Sequence, residues 1–153
     1  YHAGLTNKER IEAQNDFLYD RVEVVIATNA FGMGIDKSNV RYVIHYNMPG
    51  DLESYYQEAG RAGRDGLKSE CILLFSERDK GLHEYFITVS QADDDYKDKM
   101  GEKLTKMIQY TKTKKCLEAT IVHYFEPNEN LEECNQCSNC IQENKTYDMT
   151  REA

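Results

Sequence analysis

The sequence lacks any apolar stretch long enough to cross a bilayer. Hydrophobic residues make up 40% of its 153 residues, but no run approaches the roughly 20 consecutive apolar residues that a membrane-spanning helix needs. The sequence also lacks the charged, apolar and small-residue series of a secretory signal. We therefore expect a cytoplasmic protein with no membrane partner.

A basic excess is lacking as well, since the formal net charge is −8. Proteins that bind nucleic acid broadly are usually basic, so this balance disfavours general electrostatic binding, although net charge says little about a single face. Charged residues make up 30% of the chain, which together with the apolar fraction is typical of a globular domain with a real core.

The cysteines cannot form a fully paired disulfide framework, because there are five of them. Four follow the pattern C-x17-C-x2-C-x2-C, namely Cys116, Cys134, Cys137 and Cys140. Four thiolates at such spacing can close a tetrahedral zinc site with no open position, which predicts a structural zinc ion. Disulfides among these neighbours are the alternative. Cys71 lies in an apolar run and is expected to be a small buried hydrophobe.

Alternating strand and helix signals predict an α/β fold. Thr6 and Glu9 have the spacing of a capping box, which predicts a helix over about 7–19. Three apolar, β-branched runs predict strands that are covered on both faces of a parallel sheet, at 22–28, 40–46 and 70–75. With a helix from about Asp51, this order predicts a doubly wound sheet, whose ligands collect at the carboxyl ends of the strands.

The loop "TNAFGMGID" follows the first predicted strand. Its glycines would let backbone amides approach phosphate, and the carboxylate of Asp36 could accept hydrogen bonds from ribose hydroxyls. The alternative is a tight turn at the glycines with Asp36 as a helix cap.

The stretch "QEAGRAGRDG" carries two arginines among three glycines. If the helix from Asp51 continues, an apolar stripe faces the sheet and Gln57, Arg61 and Arg64 share the opposite face. The stripe consists of Leu52, Tyr55, Tyr56 and Ala59. The glycines weaken a helix, so close approach of another surface is their simplest explanation. Guanidinium forks match phosphate oxygens; a solvated arginine face is the alternative.

The second half of the chain has the spacing of helices. Four apolar side chains recur at helical spacing and predict core packing: Leu82, Tyr85, Phe86 and Val89. Residues 97–115 contain seven lysines against two acidic residues. This excess indicates either a solvated helix face or a contact with duplex phosphates.

Two of these stretches together resemble a known family. "VVIATNAFGMGIDKSNVRYVIHYNMP" followed by "SYYQEAGRAGRDG" is similar to the fifth and sixth motifs of RecQ-family DNA helicases, in superfamily 2. Related RNA helicases usually have His where Gln57 stands and a different loop in place of "AFGMGID". The opening "YHAGL" and the cysteine pattern together with "HYFEP" resemble the same family, and the likeness spans residues 1 to about 142.

The resemblance implies a motor with two RecA-like lobes. Residues 1–78 would form an incomplete second lobe, and residues 79–153 a helical zinc-binding subdomain with a tail. The first lobe of the same protein would carry the phosphate-binding lysine loop and the magnesium motif; no G-x-x-x-x-G-K-[ST] occurs in this sequence. ATP and Mg²⁺ would therefore be shared with that lobe, and the chain alone should not hydrolyse ATP.

The family pattern also implies roles for single residues. Arg64 would be the arginine finger, Arg61 a second contributor, and Gln57 a link between nucleotide state and lobe closure. Gly34 and Asp36 would lie near the ribose. Residues nearer the DNA would be Thr28, Asn29, His2 and Gly4.

The expected function is 3′ to 5′ translocation on single-stranded DNA, with separation of duplexes in recombination and repair. In a bacterium such an enzyme would be associated with the nucleoid. Two alternatives stay open at this point: a motor lobe of an RNA helicase, and a non-catalytic zinc-bearing interaction module.

Overall fold

A computed structural model describes residues 1–28, 31 and 36–141. Two compact units divide the chain: one comprises residues 1–48 and 53–74, and the other comprises residues 49–52 and 75 onwards. Asn29 and Gly34, which we expected near DNA and ribose, lie outside the described residues.

The first unit contains a parallel β-α-β arrangement. Strand β1 (Tyr42–His45) pairs with β2 (Glu70–Leu73), with Tyr42 opposite Glu70 and His45 opposite Leu73. Helix α2 (Leu52–Ala59) connects them. A parallel pair needs such a crossover, so the order strand, helix, strand is as the sequence predicted. A full doubly wound sheet is not present in the described residues, where the sheet has two strands.

Helix α1 (Asn7–Leu18) begins at the capping box that the sequence predicted. The Thr6 hydroxyl accepts a hydrogen bond from the Glu9 amide at 3.3 Å, and the Glu9 carboxylate accepts from the Thr6 amide at 2.8 Å. These bonds satisfy amides that have no partner inside a helix, which fixes the start of α1.

The predicted strand at 22–28 is wrong for the described structure. Residues 22–28 form no strand there, and Val24 and Ile26 are 75% and 87% exposed. A strand needs a neighbour that accepts and donates its backbone hydrogen bonds. This segment bonds instead to Tyr1, whose nitrogen donates to the Ile26 carbonyl and whose carbonyl accepts from the Thr28 amide.

Three expectations about burial in the first unit are also wrong. The strands are not covered on both faces, since Tyr42 and Ile44 of β1 are 62% and 59% exposed. Tyr56 is exposed, although Leu52 and Tyr55 of the same stripe are buried. Cys71 is exposed rather than buried, although its sulfur approaches the Ala59 carbonyl at 3.4 Å. Partial desolvation nevertheless raises the pKa of Cys71, which disfavours a reactive thiolate at this position.

The second unit is helical. It contains α3 (Glu77–Val89), α4 (Asp94–Lys112) and α5 (Leu117–Phe125). Helix α3 contacts α4, whose buried residues are Leu104, Met107 and Tyr110. Lys112 of α4 also donates to the Glu77 carboxylate at 2.8 Å.

Core packing of the apolar stripe on α3 was a wrong expectation. Its members Leu82, Tyr85, Phe86 and Val89 are 48% to 60% exposed. Asp79, His83 and Ile87 are among the more buried positions of α3. Their spacing of four residues places them on a different face of the helix.

No helix among the described residues is both long and apolar enough to traverse a lipid bilayer.

Candidate functional site

The two arginines follow α2 in a turn and do not share a helix face with Gln57. Helix α2 ends at Ala59, and residues 60–65 form turns in which Gly63 has φ of +64°. The prediction of one continuous helical face was therefore wrong. Glycine adopts this left-handed conformation without steric cost, and a Cβ at Gly63 would clash with the Ser69 side chain. The backbone conformation and the Ser69 side chain of the same segment thus account for Gly63, and the close approach of another surface stays a prediction.

Arg64 and Asp36 are brought together. A nitrogen of the Arg64 guanidinium lies 3.4 Å from a carboxylate oxygen of Asp36. The Asp36 side chain is 93% exposed and that of Arg64 is 39% exposed. Exposed ion pairs contribute little to stability because water competes for both partners. This ion pair therefore fixes Arg64 only weakly.

Gln57 is exposed and Arg61 is half-buried, with the Arg61 amide bonded to the Glu58 carbonyl at 3.3 Å. Gln57 thus belongs to the last turn of α2, whereas both arginines belong to the loop that follows it.

Three residues expected near DNA lie close in the structure. The His2 ring accepts a hydrogen bond from the Gly4 amide at 3.1 Å, and the Thr28 amide donates to the neighbouring Tyr1 carbonyl at 3.0 Å. The His2 side chain therefore stabilises a local turn, and the preceding residue, Tyr1, bonds to Thr28 through its backbone.

His45 and Glu58 form a pair whose partnership the sequence analysis missed. His45 is 8% exposed, and its Nε2 lies 2.8 Å from a carboxylate oxygen of Glu58 on α2. The ring also packs 5.0 Å from the Tyr55 ring. No local spacing links residues 13 apart in different elements, so the pair was visible only in three dimensions.

The four predicted zinc ligands converge. Their sulfur atoms all lie within 4.8 Å of one another. Cys137 is central, with its sulfur 3.9 Å from that of Cys116 and 3.4 Å from that of Cys140; the sulfurs of Cys134 and Cys140 are 3.9 Å apart. All five cysteines are in the described part of the chain and are free, which contradicts the disulfide alternative.

The spacing of the sulfurs fits a zinc ion. Four thiolates at about 2.3 Å from zinc in a tetrahedron lie about 3.8 Å from one another. The observed separations lie around that value, and the four cysteines leave no side for a catalytic water. The donor set is thus that of a closed, structural site.

Backbone amides donate hydrogen bonds to three of the four clustered sulfurs. The Leu117 amide donates to Cys137, the Ala119 amide to Cys116 and the Cys137 amide to Cys134, at 3.2 to 3.4 Å. Desolvation, the largest influence, raises the pKa of Cys137, but hydrogen bonds to its thiolate outweigh it and lower the pKa to about 6. Desolvation raises the pKa of Cys134 to about 12. Desolvation also raises the pKa of Cys140, so among these three thiols only that of Cys137 has a lowered pKa.

Comparison with known proteins matches both units of the chain. The family model described as helicase conserved C-terminal domain matches residues 1–66, and the model described as RecQ zinc-binding matches residues 77–141. The second range contains all four clustered cysteines. The chain belongs to the RecQ helicase family.

Relatives of this RecQ-family chain are longer proteins. The chain is 49% identical over 153 residues to "ATP-dependent DNA helicase RecQ" of Bacillus subtilis, covering all of the chain and 26% of the relative. It is 39% identical over 149 residues to the protein of the same name from Pasteurella multocida, covering 97% of the chain and 23% of the relative. The chain thus spans about a quarter of these curated relatives.

One relative carries a different activity in its name. A protein of Acanthamoeba polyphaga mimivirus, provisionally named as an ATP-dependent RNA helicase, is 39% identical over 140 residues, or 92% of the chain and 25% of that protein. Membership of the RecQ family therefore leaves the nucleic-acid substrate to be tested.

Proposed function

We propose that this chain is part of an ATP-dependent DNA helicase that moves 3′ to 5′ on single-stranded DNA and separates duplexes in recombination and repair. One observation carries the proposal: a helicase C-terminal match over 1–66 is followed in the same chain by a RecQ zinc-binding match over 77–141. The four-cysteine cluster lies inside that second match. Such an enzyme would work in the compartment that holds the DNA.

In this proposal the first unit supplies one side of a nucleotide cleft. ATP and Mg²⁺ would be held mainly by a first RecA-like lobe of the same protein. Arg64 would stabilise the charge that develops on the transferred phosphoryl group, with Arg61 in support. Asp36 and Gly34 would lie near the ribose, and Gln57 would link nucleotide state to closure of the lobes.

The proposed finger has the chemistry that the role needs. A guanidinium is always charged and presents a planar fork to phosphate oxygens. Arg64 is partly exposed and already lies against an exposed anionic group, the Asp36 carboxylate. The same side chain can therefore bind a phosphate that reaches it from across a cleft.

The zinc ion would be bound by Cys116, Cys134, Cys137 and Cys140 and would be structural. Bound zinc would hold these four thiolates together, one from position 116 and three from 134–140, without taking part in the reaction. DNA contacts are proposed at Thr28, Asn29, His2 and Gly4, on the first unit.

Unwinding of tailed duplexes tests the proposal. With the full-length protein, ATP and Mg²⁺, we expect strand separation of a DNA duplex with a 3′ single-stranded tail and little separation of the same duplex with a 5′ tail. A non-hydrolysable ATP analogue is the control and should give none. Equal activity on both tails, or dependence on neither tail nor ATP, would contradict the proposed polarity and motor.

A second candidate is an RNA helicase, which the name of the mimivirus relative favours. Gln57 counts against it, because related RNA helicases usually have His at that position. The same assay with RNA duplexes of matched sequence discriminates: faster unwinding of RNA than of DNA would replace the DNA helicase proposal by this one.

A further inference from the structure

Backbone hydrogen bonds join the loop that carries Arg64 to residues 38–40, the segment before β1. The Gly63 amide donates to the Val40 carbonyl at 2.9 Å, and the Asp65 amide donates to the Ser38 carbonyl at 3.2 Å. The chain is therefore anchored on both sides of Arg64, by the residues immediately before and after it.

Arg41 reinforces this junction with its side chain. One terminal nitrogen donates to the Asp65 carboxylate at 2.5 Å, and the other donates to the Lys68 carbonyl at 3.1 Å. Its Nε donates to the Asn39 carbonyl at 3.1 Å. One guanidinium thus bonds to both segments, 38–41 and 63–68.

Both oxygens of the Asp65 carboxylate accept hydrogen bonds, one of them from Arg41. Its second oxygen accepts from the Leu67 amide at 3.1 Å, which closes the turn after Arg64. The side chains of Arg41 and Asp65 are 31% and 24% exposed. The hydrogen bond from Arg41 is the largest cause of a lowered pKa at Asp65.

We propose that Arg41 and Asp65 are positioning residues that hold Arg64 in the place from which it reaches a phosphoryl group. This inference rests on the function proposed above. An arginine finger works only from a nearly fixed position, because a displacement of about 1 Å can cost about 10²-fold in rate. Bonds on both sides of Arg64 fix its backbone, so the side chain starts from one position and only its own rotamers are left to be ordered.

The test measures ATPase kinetics of the full-length protein with single-stranded DNA. Asp65→Asn removes the charge pair but keeps an oxygen for the Leu67 amide, so folding should survive. Arg41→Lys keeps the charge but cannot form the same fork of bonds. We expect each variant to lower kcat by about tenfold and to change KM for ATP by less than about threefold, because the loss lies in alignment rather than in binding.

Measuring Asp65→Asn in a protein that also carries Arg64→Ala shows whether Asp65 acts through Arg64. Alone, Arg64→Ala should lower kcat by at least about 10²-fold. Adding Asp65→Asn to Arg64→Ala should then lower kcat by less than about twofold, because the side chain to be positioned is gone. Arg21→Ala is the matched control: it removes an exposed arginine that pairs with Asp16 in the same unit, and it should leave kcat unchanged in both backgrounds.

The outcomes separate this inference from the proposed function. An equal loss from Asp65→Asn with and without Arg64, or no loss from Asp65→Asn in the otherwise unchanged protein, would overturn the positioning role alone. Normal ATPase in Arg64→Ala would overturn the finger itself. Hydrogen exchange provides a readout without turnover: amides of residues 62–68 should exchange faster in Asp65→Asn than in Arg21→Ala, and equal exchange would also count against the positioning role.

Discussion

At the scale of single residues, the structure shows how a buried charge is compensated by its neighbours. Lys37 shows this best: its side chain is 8% exposed, its ammonium contacts the Asp20 carboxylate at 2.6 Å, and it lies 5.3 Å from the centre of the Phe17 ring. A desolvated ammonium needs such compensation. The hydrogen bond from Lys37 is the largest cause of a lowered pKa at Asp20.

This pair predicts a pH-dependent contribution to stability. Because the folded pKa of Asp20 is depressed, its contribution is full above the unfolded pKa of about 3.9 and is lost as the pH falls through the lower folded pKa. Asp20→Asn should therefore lower the urea midpoint of the chain at pH 7, and the difference from the unchanged chain should shrink towards pH 2. Asparagine also tolerates the left-handed backbone at position 20, where φ is 55°.

Asp16→Asn is the control for this measurement. Its partner Arg21 is 63% exposed, so removing the pair should change the midpoint less. A difference between Asp20→Asn and the unchanged chain that stays constant from pH 7 to pH 2 would show that charge is not its source.

At the scale of elements, the sequence correctly predicted the helices and strands that are determined by residues close together in the chain. The capping box placed the start of α1 correctly because both partners, Thr6 and Glu9, lie within four residues. The runs at 40–46 and 70–75 contain β1 and β2. The run at 22–28 has the same composition but lacks a paired neighbour among the described residues, and composition cannot supply one.

The end of α2 shows a second limit of sequence reasoning. Periodicity extended the helix to Arg64, yet the helix ends at Ala59. Glycine weakens helices, and Gly63 adopts a left-handed conformation that no helix contains. The same long-range bonds that define this turn involve Arg41, whose role no spacing in the sequence indicated.

The cysteine segment is the element that we expect to depend most on metal. Residues 126–140 contain no helix or strand, and their apolar side chains are few. Metal binding should therefore supply most of the folding free energy of this segment. After chelation under reducing conditions, limited proteolysis should cut after Cys116 while residues before about Ser90 stay protected.

Cysteine replacements supply the matched controls. Cys137→Ser should lower the zinc content below one per chain, because Cys137 contacts two other sulfurs of the cluster. Cys71→Ser should leave it unchanged, because Cys71 lies on β2, outside the cluster. Loss of zinc in Cys71→Ser with retention in Cys137→Ser would show that the ligands are assigned wrongly.

At the scale of the whole molecule, the zinc site was predictable and the nucleotide side only partly. Three of the four cysteines fall within seven residues, so their spacing alone indicated a common ion. The ion pair of Asp36 with Arg64 joins positions 28 apart and required the fold. Neither the sequence patterns nor the fold supplies the residues that would complete a nucleotide site. No phosphate-binding lysine loop occurs in this sequence.

This distribution leads to a prediction about residues 1–153 alone. A transition state for phosphoryl transfer needs a phosphate cradle and a metal site as well as an arginine. The chain offers the arginines, but its sequence contains no G-x-x-x-x-G-K-[ST] loop. We therefore expect phosphate release by the purified chain to equal background, with or without single-stranded DNA. The full-length protein is the control and should turn over ATP under the same conditions. Robust turnover by residues 1–153 would require a complete nucleotide site within them, and the account of two lobes sharing one ATP would then be wrong.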